Sequence, residues 1–202
     1  MEYIVTTLLS YLLGSFNMAY FLGRANGFDI RERGSKNAGA SNVKVNFGWP
    51  LAILTCLCDM AKAIIAIRLS SYLFPGNEII PFLAGAVAIL GHIFPFYMGF
   101  HGGKGFASYL GMLIGLNWKL ALAVMAVTGI ISLLSNYIAV GTLTVLAIAP
   151  IYYFYTKTNP VCILIITAIS AFIAYKHRIN VQRILKGEEM GIFERKNRKT
   201  EK

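Results

Sequence analysis

"GHIFPFYMGFHGGKGFASY", residues 91–109, sets a glycine-flanked lysine between two apolar runs. Its flanks extend into approximate apolar spans over 80–98 and 106–116, and similar runs recur at 3–23, 49–73, 120–134, 138–155 and 161–175. Most approach the roughly 20 residues that cross a bilayer core. Hydrophobic residues make up 56% of the 202-residue chain and charged residues only 14%, with a mean hydropathy of +0.60. A soluble domain carries about a quarter charged residues. The chain therefore reads as all-α, a polytopic membrane protein of about seven transmembrane helices. No repeat, low-complexity tract or Pro/Ser-rich linker marks a second domain within 1–202. The run 106–116 is short, so six spans with a re-entrant element stays open beside seven.

Net charge is +10, and its placement is informative. Residues 24–46 hold five Lys/Arg and the basic tail 176–202 holds nine, whereas the turns at "PGNE", "NWK" and "TKTN" hold none, one and one. Positive residues favour the cytoplasmic side. The N-terminus is thus expected outside and the C-terminus inside, with the end of the tail flexible. The positive-inside rule explains the basic charge more simply than a nucleic-acid partner. "MEYIVTTLLSYLLGSF" has no basic n-region and reads as a retained first helix, not a cleaved signal. Cys56, Cys58 and Cys162 lie in apolar spans without His/Cys ligand spacing, so no metal site is expected.

Three polar segments carry the chemistry. "RERGSKNAGASN", 31–42, combines Gly34 and Gly39 with Ser35, Asn37, Ser41 and Asn42. Glycines let backbone N–H groups face a ligand, and short polar side chains add donors; a plain inter-helix loop is the alternative. In the second segment, Gly102, Gly103 and Gly105 allow close backbone approach while Lys104 supplies a point charge for phosphate. It is not a Walker A loop, because Gly105 follows Lys104 and Met98 stands where that loop has its first glycine. Gly91, His92 and Pro95 break the preceding span, as is tolerated beside a polar cavity or packed protein. A kinked helix followed by a basic turn is the plainer alternative. In "KHRINVQRILKGEE", 176–189, a continued helix puts His177, Asn180, Ile184 and Glu188 on one side. A lipid-attracted juxtamembrane helix would look similar. All three segments emerge on the same expected face. Within the second span, Asp59 and Lys62 are three residues apart and are expected to form a mutual ion pair.

Some chemistry is excluded. Five residues after His92, His101 and His177 stand Tyr97, Phe106 and Gln182, so there is no His-x-x-x-x-Asp pair, and no Gly-x-Ser-x-Gly elbow occurs. A site of glycines, Ser, Asn, Lys and His suits anionic substrates needing orientation and charge stabilisation. A non-catalytic anion-binding protein or carrier is the competing class.

The three segments closely resemble the motifs of the bacterial acyl-phosphate-dependent glycerol-3-phosphate acyltransferases, small integral membrane enzymes with seven spans. The pattern G-S-x-N-x-G-A-T/S-N is matched by Gly34, Ser35, Asn37, Gly39, Ala40, Ser41 and Asn42. G-H-x-F-P followed by F-x-G-G-K-G is matched by Gly91, His92, Phe94, Pro95, Phe100, Gly102, Gly103, Lys104 and Gly105. K/R-H-x-x-N-I/V-x-R-L/I-x-x-G-x-E is matched by Lys176, His177, Asn180, Val181, Arg183, Ile184, Gly187 and Glu189. The resemblance implies acyl transfer from acyl phosphate to glycerol-3-phosphate, giving lysophosphatidic acid and phosphate at the first step of phospholipid synthesis. It implies no cofactor and no metal, a place in the bacterial cytoplasmic membrane among its lipids, and a soluble enzyme that supplies acyl phosphate. Ser35, Lys104, His177 and Asn180 are the implied catalytic residues. Asn37, Gly39, Asn42, His92, Gly102, Gly103 and Gly105 are the implied substrate contacts, and Glu189 is structural. Two positions depart from the family pattern: Val45 stands where an Arg is usual, and Ala139 where a Ser is usual. They leave open a paralogue with another phosphorylated acceptor.

Overall fold

The computed structural model describes residues 1–193; the far end of the expected flexible tail, 194–202, lies outside the described residues. The helices are α1 (Glu2–Ser15), α2 (Met18–Ala25), α3 (Ala40–Phe47), α4 (Trp49–Leu73), α5 (Ile79–Ile93), α6 (Phe106–Leu116), α7 (Trp118–Ser135), α8 (Ile138–Val145), α9 (Ile148–Tyr155), α10 (Pro160–Lys176) and α11 (Arg178–Leu185). Among the described residues six helical stretches are long and apolar enough to cross a membrane: Glu2–Ala25, Trp49–Leu73, Ile79–Met98, Trp118–Ser135, Ile138–Tyr155 and Pro160–Leu185. Among the described residues there is no strand.

The 11-residue α6 spans only about 16 Å at 1.5 Å per residue, but contacts show that it makes a seventh passage. At one end of the bundle, Asn77 donates to Glu2, Asn159 to Glu78, and Asn117 to Tyr152. At the other end, Arg31 donates to the Met98 and His101 carbonyls, Lys44 to Ile192 and Lys104 to Asn180. α6 leaves the second end just after Lys104 and reaches the first at Asn117, so the chain traverses the bundle an odd number of times. The re-entrant alternative is thereby removed. A short helix can do this because α6 is enclosed by α4, α5 and α7 and carries no lipid-length requirement of its own. Close approach to α4 depends on Gly111: a Cβ there would lie 2.2 Å from the Met60 carbonyl oxygen.

The first span is broken where the sequence reads as continuous. Asn17 caps α2, its Oδ1 accepting from the Tyr20 amide at 2.9 Å. The break frees backbone groups at membrane depth, where each needs a partner. The Tyr97 hydroxyl donates to the Ser15 carbonyl at 2.7 Å and accepts from the Asn17 amide at 3.1 Å. Lys62 Nζ donates to the Phe16 carbonyl at 2.7 Å. The expected Asp59–Lys62 pair is present at 2.9 Å, and it has a third member. His92 Nδ1 lies 2.7 Å from Lys62 Nζ and 3.2 Å from Asp59 Oδ1, with all three side chains buried. An ammonium only donates, so His92 Nδ1 accepts and the ring proton sits on Nε2.

Candidate functional site

The broken helix ends and loops of the second bundle end enclose a cavity of about 420 Å³. Ser35, Asn37 and Gly39 line it from the loop before α3, Lys104 and Gly105 from the loop before α6, and His177 and Asn180 from the α10–α11 junction. These are the three segments singled out in the sequence, brought together from positions up to 145 residues apart. Glu189 reaches the same cavity, and Asp59 and His92 meet it from below.

Each position has a local cause. Arg31 is clamped by Asp29 at 2.6 Å while it donates to the Met98 and His101 carbonyls, fastening the first loop to the second. That contact holds the Asp29 carboxyl below its ordinary range. Lys104 donates to Asn180 Oδ1, and Asn180 Nδ2 donates to Glu189 Oε1 at 2.5 Å. Burial lowers the Lys104 ammonium to about 8; Glu189 opposes that shift, and Arg183 and Lys176 add to it. His177 Nδ1 lies 2.9 Å from the Ile173 carbonyl. A carbonyl only accepts, so Nδ1 carries the proton and the neutral ring keeps a lone pair on Nε2. The first turn of α6 opens on the cavity through Phe106 and Ala107. Its N-cap Gly105 (φ 91°) offers no side-chain cap, an arrangement that favours anions.

Several expected substrate contacts are placed elsewhere. Asn42 is fully buried beneath the first loop. Its Oδ1 accepts from the Ser35 amide at 2.9 Å, and its Nδ2 donates to the Ile30 and Arg33 carbonyls. The Gly102 and Gly103 amides donate back to the Ile93 and His92 carbonyls at the broken end of α5. A Cβ on Gly103 would lie 2.1 Å from His92 Nε2, so this glycine admits the histidine ring and does not bare its amide to a ligand. Asn42, Gly102 and Gly103 thus build the loops that present Ser35 and Lys104. Glu188 was expected on the His177 side of a continued helix, but α11 stops at Leu185. Gly187 turns with φ 66°, and Glu189 faces Asn180 instead.

Two parts of the cavity were not evident in the sequence. One is an apolar wall of Trp49, Ile53, Leu110 and Ile138, whose members read individually as ordinary span residues. The other is a strap, 190–192, that follows α11 across the cavity. Its Ile192 amide donates to the Asn136 carbonyl at 2.9 Å and its carbonyl accepts from Lys44 Nζ at 3.0 Å. Val45 and Ala139, the two departures, both line the cavity. Among the described residues no group of three or more His, Cys, Asp or Glu could hold a metal ion.

Fold and cavity together define an integral membrane protein with a cavity lined by lysine, histidine, serine and asparagine at one end of its helical bundle. Residues 4–187 match the family model described as glycerol-3-phosphate acyltransferase. A glycerol-3-phosphate acyltransferase of Mesorhizobium japonicum is 37% identical over 187 residues, covering 92% of this chain and 94% of the relative. Glycerol-3-phosphate acyltransferase 1 of Oceanobacillus iheyensis is 34% identical over 198 residues, covering 94% of each. The crystal structure of PlsY (YgiH), an integral membrane glycerol 3-phosphate acyltransferase, in its glycerol 3-phosphate form superposes with a TM-score of 0.88 at 29% identity, covering 95% of this chain and 96% of that one. Its lysophosphatidic acid form gives a TM-score of 0.85 at 28% identity, covering 95% of each chain. The chain belongs to the glycerol-3-phosphate acyltransferase family.

Proposed function

We propose that this chain transfers an acyl group from acyl phosphate to the primary hydroxyl of glycerol-3-phosphate, giving 1-acyl-glycerol-3-phosphate and inorganic phosphate. The whole chain, 1–202, acts as one domain of the bacterial cytoplasmic membrane, N-terminus outside and site facing the cytoplasm, with acyl phosphate supplied by a soluble enzyme. The observation that carries this reading is the meeting of Ser35, Lys104, His177 and Asn180 on one cavity with an apolar wall. That pairing of cation and apolar surface suits an acyl chain bearing a phosphate.

The chemistry asks for alignment and charge stabilisation more than for a strong base. The acceptor hydroxyl oxygen attacks the acyl carbonyl carbon, and the carbon–oxygen bond to phosphate breaks. The electron pair departs with the phosphate, which also takes the hydroxyl proton. Lys104 and Ser35 hold phosphate at this site. His177 Nε2 accepts a hydrogen bond from the hydroxyl and orients it, and Asn180, steadied by Glu189, keeps Lys104 in place. The assay is phosphate release by purified protein in lipid with palmitoyl phosphate, with and without glycerol-3-phosphate. Acceptor-dependent release with lysophosphatidic acid formed is the expected result. Folded protein without it overturns the reading.

Val45 and Ala139 in the cavity wall favour one second reading, an acceptor that is another phosphorylated polyol. Val45→Arg discriminates the two. A guanidinium there is expected to lower the apparent KM of glycerol-3-phosphate by roughly 3- to 10-fold, the worth of one added hydrogen bond. An unchanged or higher KM, with another phosphorylated polyol preferred, would support the altered acceptor.

A further inference from the structure

The proposed reaction brings two phosphate groups into one cavity, one on the acyl donor and one on the acceptor. Lys44 and Lys104 are the two Lys/Arg side chains among the described residues that line it. The cavity's own carboxylates do not compete equally for both. Asp59 is paired with Lys62 at 2.9 Å, and Glu189 accepts from Asn180 and acts on Lys104. Lys44 lies one turn into α3, next to the apolar Val45, and its ammonium sits 4.3 Å from the Trp49 ring centre and 3.0 Å from the Ile192 carbonyl oxygen. Neither partner carries a formal charge. An ammonium has three donors, and a phosphate oxygen is a stronger acceptor for it than a neutral carbonyl.

We propose that Lys44 is the second phosphate ligand of this chain, binding the phosphate that Lys104 does not hold. The inference rests on the acyl-transfer reading for its two phosphates and on the cavity for its geometry. Trp49 keeps the ammonium at the cavity wall through its ring face. The bond to Ile192 is the resting contact, so the same lysine links phosphate arrival to the strap that crosses the cavity. Lysine serves here as a point charge, without the two-pronged geometry of arginine.

The test compares wild type, Lys44→Met and Lys44→Arg in lipid, with inorganic phosphate as binding probe and palmitoyl phosphate and glycerol-3-phosphate as substrates. Lys44→Met is expected to weaken inorganic phosphate binding, and to raise KM for one substrate but not the other, by roughly 10- to 100-fold, as for a lost charged hydrogen bond. The substrate affected identifies which phosphate Lys44 holds. Lys44→Arg should stay within about threefold of wild type, and Val45→Arg should rescue Lys44→Met by restoring a cation one residue away. Unchanged phosphate affinity and unchanged KM values in Lys44→Met overturn the proposal. So does equal loss in Lys44→Met and Lys44→Arg, because a point-charge role survives replacement by a guanidinium. If wild type acylates nothing, the acyl-transfer reading fails, and the phosphate-binding comparison still decides Lys44.

Discussion

Lys104→Ala is expected to lower kcat/KM by about 10²–10³-fold, the range for removing one preorganised group that stabilises charge in the transition state, while the protein still folds and inserts. The side chain bonds one neutral partner, Asn180, and its loop is anchored independently by the Gly102 and Gly103 amides. Its removal therefore takes away charge without taking away the loop. The pH profile gives a second readout. Burial lowers the Lys104 ammonium to about 8, so kcat/KM, which reports the free enzyme, should fall as pH rises through about 8. Bound phosphate favours the charged form and moves the corresponding limb of kcat upward. Lys104→Arg should abolish the limb near 8, because guanidinium stays charged. Near-normal turnover by Lys104→Ala, or an unmoved limb in Lys104→Arg, would remove the phosphate role. The stability linkage has a definite sign. The folded state holds this proton less tightly than the unfolded chain, so charging Lys104 costs stability below about 8. That cost is relieved as pH rises from about 8 toward the unfolded value of 10.5.

Asp59→Ala should produce the largest loss of stability, about 3–5 kcal/mol, as expected when one partner of a buried ion pair is removed and the other is stranded. Lys62 keeps its bonds to the Phe16 carbonyl and to His92, but neither is an anion. Loss of Asp59 also loosens His92, whose ring packs against Gly103 in the loop that presents Lys104. The effect should appear as a lower midpoint of thermal unfolding in detergent and as lower activity. Replacing both charges, as Asp59→Leu with Lys62→Met, should recover most of the loss, because apolar groups of similar volume often equal a buried pair. About 1–3 kcal/mol should remain, since the Phe16 carbonyl then lacks its donor. A single Asp59→Ala variant as stable as wild type would show that the pair is not structural.

The sequence made the membrane class legible because hydropathy and the placement of lysine and arginine are additive along the chain. It also made the three polar segments legible, since glycine, serine, asparagine and lysine stand out between apolar runs. Ser35, Lys104, His177 and Asn180 lie in those segments and were picked out there by the family resemblance, and they share one cavity. The motif could not distinguish residues that face the cavity from those that build its walls. Asn42, Gly102 and Gly103 have the right chemistry to touch a ligand, yet their polar groups are taken by neighbouring loop and helix backbone.

Other features depended on residues distant in the chain. The shortness of α6 left its passage undecided until contacts at both ends of the bundle fixed it. The break after Phe16 is satisfied by Lys62, 46 residues away. His92 joins the Asp59–Lys62 pair from another helix. Lys44 meets the strap across 148 residues. The sequence by itself determined the all-helical membrane class and which short segments carry polar chemistry, because those properties are local. Tertiary structure alone decided which of those polar groups face the cavity and which close the backbone around it, because every buried donor and acceptor must find a partner and most of the partners here lie in another helix.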